Sequence, residues 1–271
     1  MIYDGFIFRD ELDLIEMRLK FLWDEVDVFV LVESNKTFKG DPKPYHFEEN
    51  RERFKEWESK IRYVKIDPDI SHLDLSKNDS SYTPTSPAWQ VEYMQRNAIA
   101  QGFHDAKEND MLMVSDVDEF PDMSLIKEIK DGVFNMPVYY YYVNMKANKG
   151  FGETIVTTRF CIGKVFRDKY KSLPQNMRFT RRDRDVKRVN GGWHFSFLGG
   201  KEVIRKKIKS FSHTEYNSEK YFSDENIDQS IDTGKDIFNR GIKYLTVNPK
   251  EDLPEDLYTV VSSYPKFIKN G

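Results

Sequence analysis

A short apolar run that ends in acid constrains this chain more than any other stretch. Met111–Val114 is followed directly by Ser115, Asp116, Val117, Asp118 and Glu119, within MLMVSDVDEFPD at Met111–Asp122. Such a run, bounded by polar residues, predicts a buried strand. In an extended segment residues i and i+2 point the same way, so Asp116 and Asp118 can present two carboxylates to one point. Two like charges held together are unfavourable unless a cation lies between them. Hard oxygen donors at a strand end suit Mg²⁺ or Mn²⁺, commonly shared with substrate phosphates. The competing reading is an acidic turn that caps the next helix through Asp122 or Ser124. Two further D-x-D pairs, Asp67/Asp69 and Asp183/Asp185, follow no apolar run and read as solvated loops.

Upstream, Ile2–Phe8 predicts a strand. Behind it Leu12, Ile15, Leu19 and Leu22 recur at helical spacing, with Asp10 as the candidate N-cap. Val26–Val32 predicts a second strand, and strand–helix–strand suggests a parallel βαβ unit. Glu33 follows at the carboxyl end of that strand, where ligands bind in open α/β sheets. A loop over Asn35–Asn50, a strand over Ile61–Ile66 and a long polar loop over Asp67–Pro87 come next. Trp89–His104 predicts a helix leading into the acidic strand. Its polar pair is Arg96 and Asn97, and a guanidinium fork suits a diphosphate because it gives bidentate hydrogen bonds.

Downstream, Ser124–Lys130 predicts a small helix and Val138–Val143 a strand. The tyrosines of that strand either line a sugar site or pack in the core with tethered hydroxyls. Ile155–Thr158 and Lys164–Phe166 predict short strands. Arg178–Arg188 is a mixed-charge run, a solvated loop by default but able to hold phosphate. In NGGWHFSFLGGK, Asn190–Lys201, two Gly-Gly pairs frame His194, and glycine permits close backbone approach. His194 is therefore a candidate metal ligand. Gly200–Phe211 predicts a helix, and the remainder is expected to be helical to Gly241 and irregular beyond it.

Composition sets limits. The 271 residues, 39% hydrophobic and 14% aromatic, can form one large α/β domain, and a net charge of −3 offers no basic field for nucleic acid. The lone Cys161 excludes an intrachain disulfide and fits a reducing compartment. MIYDGFIFRDELD has neither region of a signal peptide, and no run approaches the roughly 18 apolar residues of a membrane span. A soluble, cytoplasmic protein is the expectation.

Five stretches together resemble glycosyltransferase family 17. They are DGFIFRDELDLIEMRL at Asp4–Leu19, VDVFVLVES with TFKGDPKP at Val26–Pro44, WQVEYMQRNAI at Trp89–Ile99, SDVDEFPD at Ser115–Asp122, and GGWHFSFLGG at Gly191–Gly200. The resemblance runs in family order over about residues 2–240. It implies a single domain over 1–271, with a GT-A-like core of mostly parallel sheet over 1–200 and a helical extension over 201–271. It also implies a metal-dependent, inverting transferase that uses UDP-GlcNAc and a glycan or other hydroxyl acceptor. Asp116, Asp118 and His194 would hold Mn²⁺ or Mg²⁺, and Lys201 would neutralise the diphosphate. Glu33, Arg96, Asn97 and Asp116 would lie around the donor. An inverting reaction needs a carboxylate base, for which Glu215 is the candidate, ahead of Glu119 and Asp122. The membrane anchor and stem of the animal member have no counterpart here, so a shorter soluble branch is expected. The alternatives are a nucleotidyltransferase or phosphohydrolase using the same acids, or a carbohydrate-binding protein without catalysis.

Overall fold

The computed structural model describes residues 1–77, 85–148, 150 and 152–269. Among the described residues eleven strands join in one sheet: β1 Ile2–Phe8, β2 Val28–Ser34, β3 Ile61–Ile66, β4 Met111–Asp116, β5 Glu119–Phe120, β6 Asp131–Tyr140, β7 Met145–Ala147, β8 Thr154–Ile162, β9 Lys187–Asn190, β10 Trp193–Ser196 and β11 Tyr244–Thr246. The helices are α1 Leu12–Leu22, α2 His46–Glu49, α3 Pro87–Asn97, α4 Ile99–Gly102, α5 Gly163–Tyr170, α6 Pro174–Phe179, α7 Gly200–Ser210, α8 Glu219–Phe222, α9 Asp224–Thr233, α10 Pro249–Asp252 and α11 Glu255–Ser262. The class is α/β.

The main path runs β11-β7-β6-β8-β4-β1-β2-β3. Half of it, β4-β1-β2-β3, is parallel, as the βαβ pattern predicts. The other half corrects the expectation of a mostly parallel sheet. β8 runs antiparallel to both β4 and β6, and β6-β7-β11 is antiparallel throughout. At β6 and β7 the physical reason is connection length: residues 141–144 are too few for a parallel crossover. Because β1 passes to β2 on one side and lies beside β4 on the other, the chain reverses direction across the sheet between β1 and β4. That is the switch point at which open α/β sheets place ligands.

Several local expectations change. Asp10 does not cap α1; Glu11 holds that position, its carboxylate accepting the N–H groups of Arg9 and Asp10. Trp89–His104 breaks into α3 and α4. Ser124–Lys130 is not a helix: only a 3-10 turn forms at Met123–Leu125, capped by Asp122, which accepts from Ser124 N at 3.1 Å. Lys164–Phe166 lies in α5 rather than a strand, since Phe166 and Tyr170, one turn apart, bury together. The Val138–Val143 strand stops at Tyr140, where Tyr141 turns to φ 69°. Asn35–Asn50 contains α2, and Asp67–Pro87 carries a 3-10 turn at Leu75–Lys77, with 78–84 outside the described residues. Beyond Gly241 the chain is regular: β11, α10 and α11 form, and Leu257 and Val261 of α11 share a core with Leu14 and Ile15 of α1. Among the described residues no helix is long and apolar enough to cross a membrane.

Candidate active site

β4 ends at Asp116, and Val117 and Asp118 form a turn before β5. The alternation that would align the two aspartates therefore stops at Asp116. What fixes the turn is Arg18 of α1. Its side chain is wholly buried and paired at 2.7 Å with Asp4, equally buried in the middle of β1. The same guanidinium donates to the carbonyl of Glu119 and reaches those of Asp116 and Val117 at 3.4 and 3.5 Å. One buried ion pair thus pins the acidic turn from below.

From the other side comes β10. It pairs antiparallel with β5, placing His194 opposite Glu119, while Phe195 N donates to Asp118 O at 2.8 Å. Gly192 permits this approach: it sits at φ 82°, and a Cβ there would lie 2.6 Å from the Phe120 carbonyl oxygen.

The two aspartates serve different cations. Asp116 accepts from Arg96 Nη1 at 2.7 Å and Arg178 Nη2 at 2.8 Å. Burial pushes its carboxyl up, but Arg96 and Arg178 outweigh burial and hold it far below the usual carboxylate range. Arg178 also forks onto Glu119, at 2.5 and 3.1 Å, and Glu119 further accepts from Thr158 and from Asp116 N. Asp118 accepts from Lys207 Nζ at 2.8 Å. Burial again acts against ionisation of Asp118, and Lys207 followed by His194 lowers its carboxyl below the ordinary value. Its other oxygen lies 3.8 Å from His194 Nδ1, a buried nitrogen with no hydrogen-bond partner among the described residues.

Above these residues opens a cavity of about 340 Å³, lined at its base by Ile7, Phe8, Asp116, Asp118 and His194 at the switch point. Arg181 and Arg182, in the turn after α6, line it too, and no carboxylate among the described residues lies within ion-pair distance of either. Burial, then the charges of Arg178, Arg96 and Arg182, lowers the Arg181 guanidinium to about 10, so it stays cationic at neutral pH. Two more buried polar atoms without partners, Arg96 Nε and Gln175 Oε1, belong to lining residues. Unsatisfied polar atoms and uncompensated cations converging on one cleft suit a polar, anionic ligand. Aromatic rings line the cavity as well: Trp89 and Tyr93 of α3 run on to Phe179, at ring distances of 6.2 and 5.1 Å.

The sequence profile of glycosyltransferase family 17 matches residues 1–243. The chain belongs to glycosyltransferase family 17. A search among curated proteins gives no match. The partners of this glycosyltransferase are accordingly a nucleotide sugar and an acceptor.

Of the residues anticipated for the glycosyltransferase site, Arg96, Asp116, Asp118 and His194 gather at the cavity. The others turn elsewhere. Glu33 is buried at the end of β2, accepting from Lys43, Phe47 N and Tyr63 Oη. Burial raises its carboxyl despite these partners. Asn97 accepts from Gln175 N and ties α3 to α6. Lys201 pairs with Asp228 at 2.5 Å on the surface, and Lys207, nearly two turns further along α7, is the lysine that meets Asp118. Glu215 does not line the cavity, but bonds His213, which does. Among the described residues no cluster of three or more His, Cys, Asp or Glu side chains is arranged to hold a metal ion. Asp67 and Asp185 of the other D-x-D pairs are exposed, as expected. Sequence reasoning missed Arg178, Arg181 and Lys207 as site residues. The Arg178–Arg188 run was the signal for the first two, since α6 carries its first arginine inward. The tyrosines divide: Tyr139 and Tyr141 are core residues with tethered hydroxyls, and Tyr140 lines the cavity.

Proposed function

We propose that this glycosyltransferase moves N-acetylglucosamine from UDP-GlcNAc to a hydroxyl of a glycan or related acceptor, with inversion, on a GT-A-like fold. The observation that carries the reading is the meeting of Asp116 and Asp118 with Arg181 and Arg182, which have no ion-pair partner among the described residues, at the switch point. The new bond forms between the acceptor oxygen and the anomeric carbon. The bond to the diphosphate breaks, and its electron pair leaves with UDP. Charge therefore grows on the diphosphate, and pre-placed cations in a partly dry cleft stabilise that change. Arg181 and Arg182 are the residues for this task. Trp89, Tyr93 and Phe179 offer faces for the base or sugar.

The donor set fits a cation shared with substrate rather than one caged by protein. Asp118 Oδ1 and the unpartnered His194 Nδ1 would hold Mn²⁺ or Mg²⁺, with phosphate oxygens and water supplying the other positions. A bound divalent ion supplies further neutralisation of the leaving diphosphate. Asp116, engaged by two arginines, would serve the ribose through its remaining lone pairs.

Calorimetry with UDP-GlcNAc, UDP-glucose and GDP-mannose, each with Mn²⁺ and with EDTA, tests this. UDP-GlcNAc should bind tightest and need the metal, and Asp118→Ala and His194→Ala should each abolish the metal-dependent part. Tighter binding of GDP-mannose refutes the donor, and binding indifferent to EDTA refutes the metal.

A further inference from the structure

The acceptor must lose a proton, and the cavity's carboxylates are poorly placed to take it. Asp116 is engaged by Arg96 and Arg178, Glu119 by Arg178, Thr158 and a backbone N–H, and Asp118 by Lys207. Glu92 is held between Arg96 and the hydroxyl of Ser212. Glu11 accepts two backbone N–H groups and faces Arg9. A carboxylate fixed by cations is a weak base. His213 differs. Its half-exposed ring lines the cavity and stands edge-on to Trp89 at 4.8 Å. Its Nδ1 lies 2.7 Å from Glu215 Oε1. Among the described residues Glu215 meets no other cation, and its second oxygen is buried without a partner.

We propose, resting on the transferase reading above, that His213 is the base that deprotonates the acceptor and that Glu215 is its positioning residue. An ionised Glu215 can only accept, so Nδ1 must carry the hydrogen and Nε2 keeps its lone pair. No hydrogen-bond partner for Nε2 exists among the described residues. As the acceptor oxygen attacks the anomeric carbon, its proton passes to Nε2 and the electron pair of the breaking bond leaves with UDP. The imidazolium that results is faced by the Glu215 carboxylate, whose charge has no other ion-pair partner among the described residues. Glu215 thus acts through His213 rather than on the acceptor itself.

The test measures UDP release from UDP-GlcNAc, with water and with a panel of p-nitrophenyl glycosides as acceptors. Wild type is compared with His213→Phe, His213→Ala and Glu215→Gln. His213→Phe keeps a ring against Trp89 and removes both nitrogens. It should lower kcat by about a hundredfold or more with donor affinity retained. His213→Ala should lose as much and be partly restored by added imidazole, which should leave His213→Phe unchanged. Glu215→Gln should show a smaller loss, in kcat and not in KM. The proposal is overturned if His213→Phe keeps its kcat, if the loss falls on donor affinity instead, or if imidazole restores nothing to His213→Ala. A wild-type protein that neither binds nor cleaves UDP-GlcNAc sinks the transferase reading and this proposal with it. Wild-type turnover with unaffected variants sinks this proposal alone.

Discussion

Replacing Arg18 with methionine should separate the stability of the fold from the order of the site. Arg18 and Asp4 are both fully buried and joined by two 2.7 Å hydrogen bonds, with the guanidinium 5.0 Å from the Phe6 ring. Removing one partner leaves the Asp4 carboxylate buried and unpaired, and such a change costs about 3–5 kcal/mol. At about 2–4 °C per kcal/mol for a chain near this size, Tm should fall by roughly 6–20 °C. Asp4→Leu combined with Arg18→Met removes both charges. Apolar replacement of a buried pair is often neutral or better, so the double variant should recover most of the loss. It will not restore the donations from Arg18 to the carbonyls of Asp116, Val117 and Glu119. The double variant should therefore unfold in urea close to wild type and yet bind UDP-GlcNAc more weakly. An Arg18→Met cost below about 1 kcal/mol refutes the argument, given the size of the buried-charge penalty. So does a double variant that binds donor as well as wild type, because the turn would then not depend on Arg18.

Arg181→Gln removes a cation without an ion-pair partner, so thermal unfolding should be unchanged. UDP affinity by calorimetry should drop about ten- to a hundredfold, the worth of one charge-assisted hydrogen bond of about 1.5–3 kcal/mol. Asp118 is held below its ordinary value chiefly by Lys207 acting against burial, so its ion pair stabilises the fold above about pH 4 and is lost as pH falls through the lowered value. Lys207→Met should reverse the sign, leaving a buried unpaired carboxylate that makes the variant less stable at pH 7 than at pH 5. Wild-type and variant Tm curves that run parallel across that interval would contradict this. Glu33→Gln should lower Tm, since Lys43 loses its buried partner, while donor affinity stays at the wild-type level.

The parallel half of the fold was legible because its signals are local. Ile2–Phe8, Val28–Ser34 and Met111–Asp116 are largely apolar runs, and a strand buried on both faces has little choice of sequence, while the edge strand Ile61–Ile66 is marked by its β-branched and aromatic residues. The antiparallel half was not, because its order depends on which edge each strand joins. β6 bonds to β7, β8, β9 and β10, a set of partners drawn from widely separated parts of the chain. Lys164–Phe166 fails for a related reason: three residues are too few to tell a strand from the first turn of a helix.

The same division runs through the site. Asp116, Asp118 and His194 carried signals in their own neighbourhoods, an apolar run in one case and framing glycines in the other. Their cationic partners carried less: Arg96 stood out only as a guanidinium fork on a helix, Arg178 only as the start of a mixed-charge run, and Lys207 not at all. Lys207 is one lysine on a basic helix, distinguishable from Lys201 only by which turn of α7 faces Asp118. Arg178 sits in a charged run that reads as solvated, yet it is buried, because Asp116 and Glu119 together provide the charge that makes burying a guanidinium tolerable. Such pairs are properties of the assembled fold: neither partner is informative until the other has been brought beside it. The exception is Asp4 and Arg18, whose separation, a strand plus most of a helix, is what a βαβ crossover brings together. A charge in the middle of an apolar strand is costly alone, so a buried Asp4 needs a buried cation, and the inward face of α1 supplies it in Arg18.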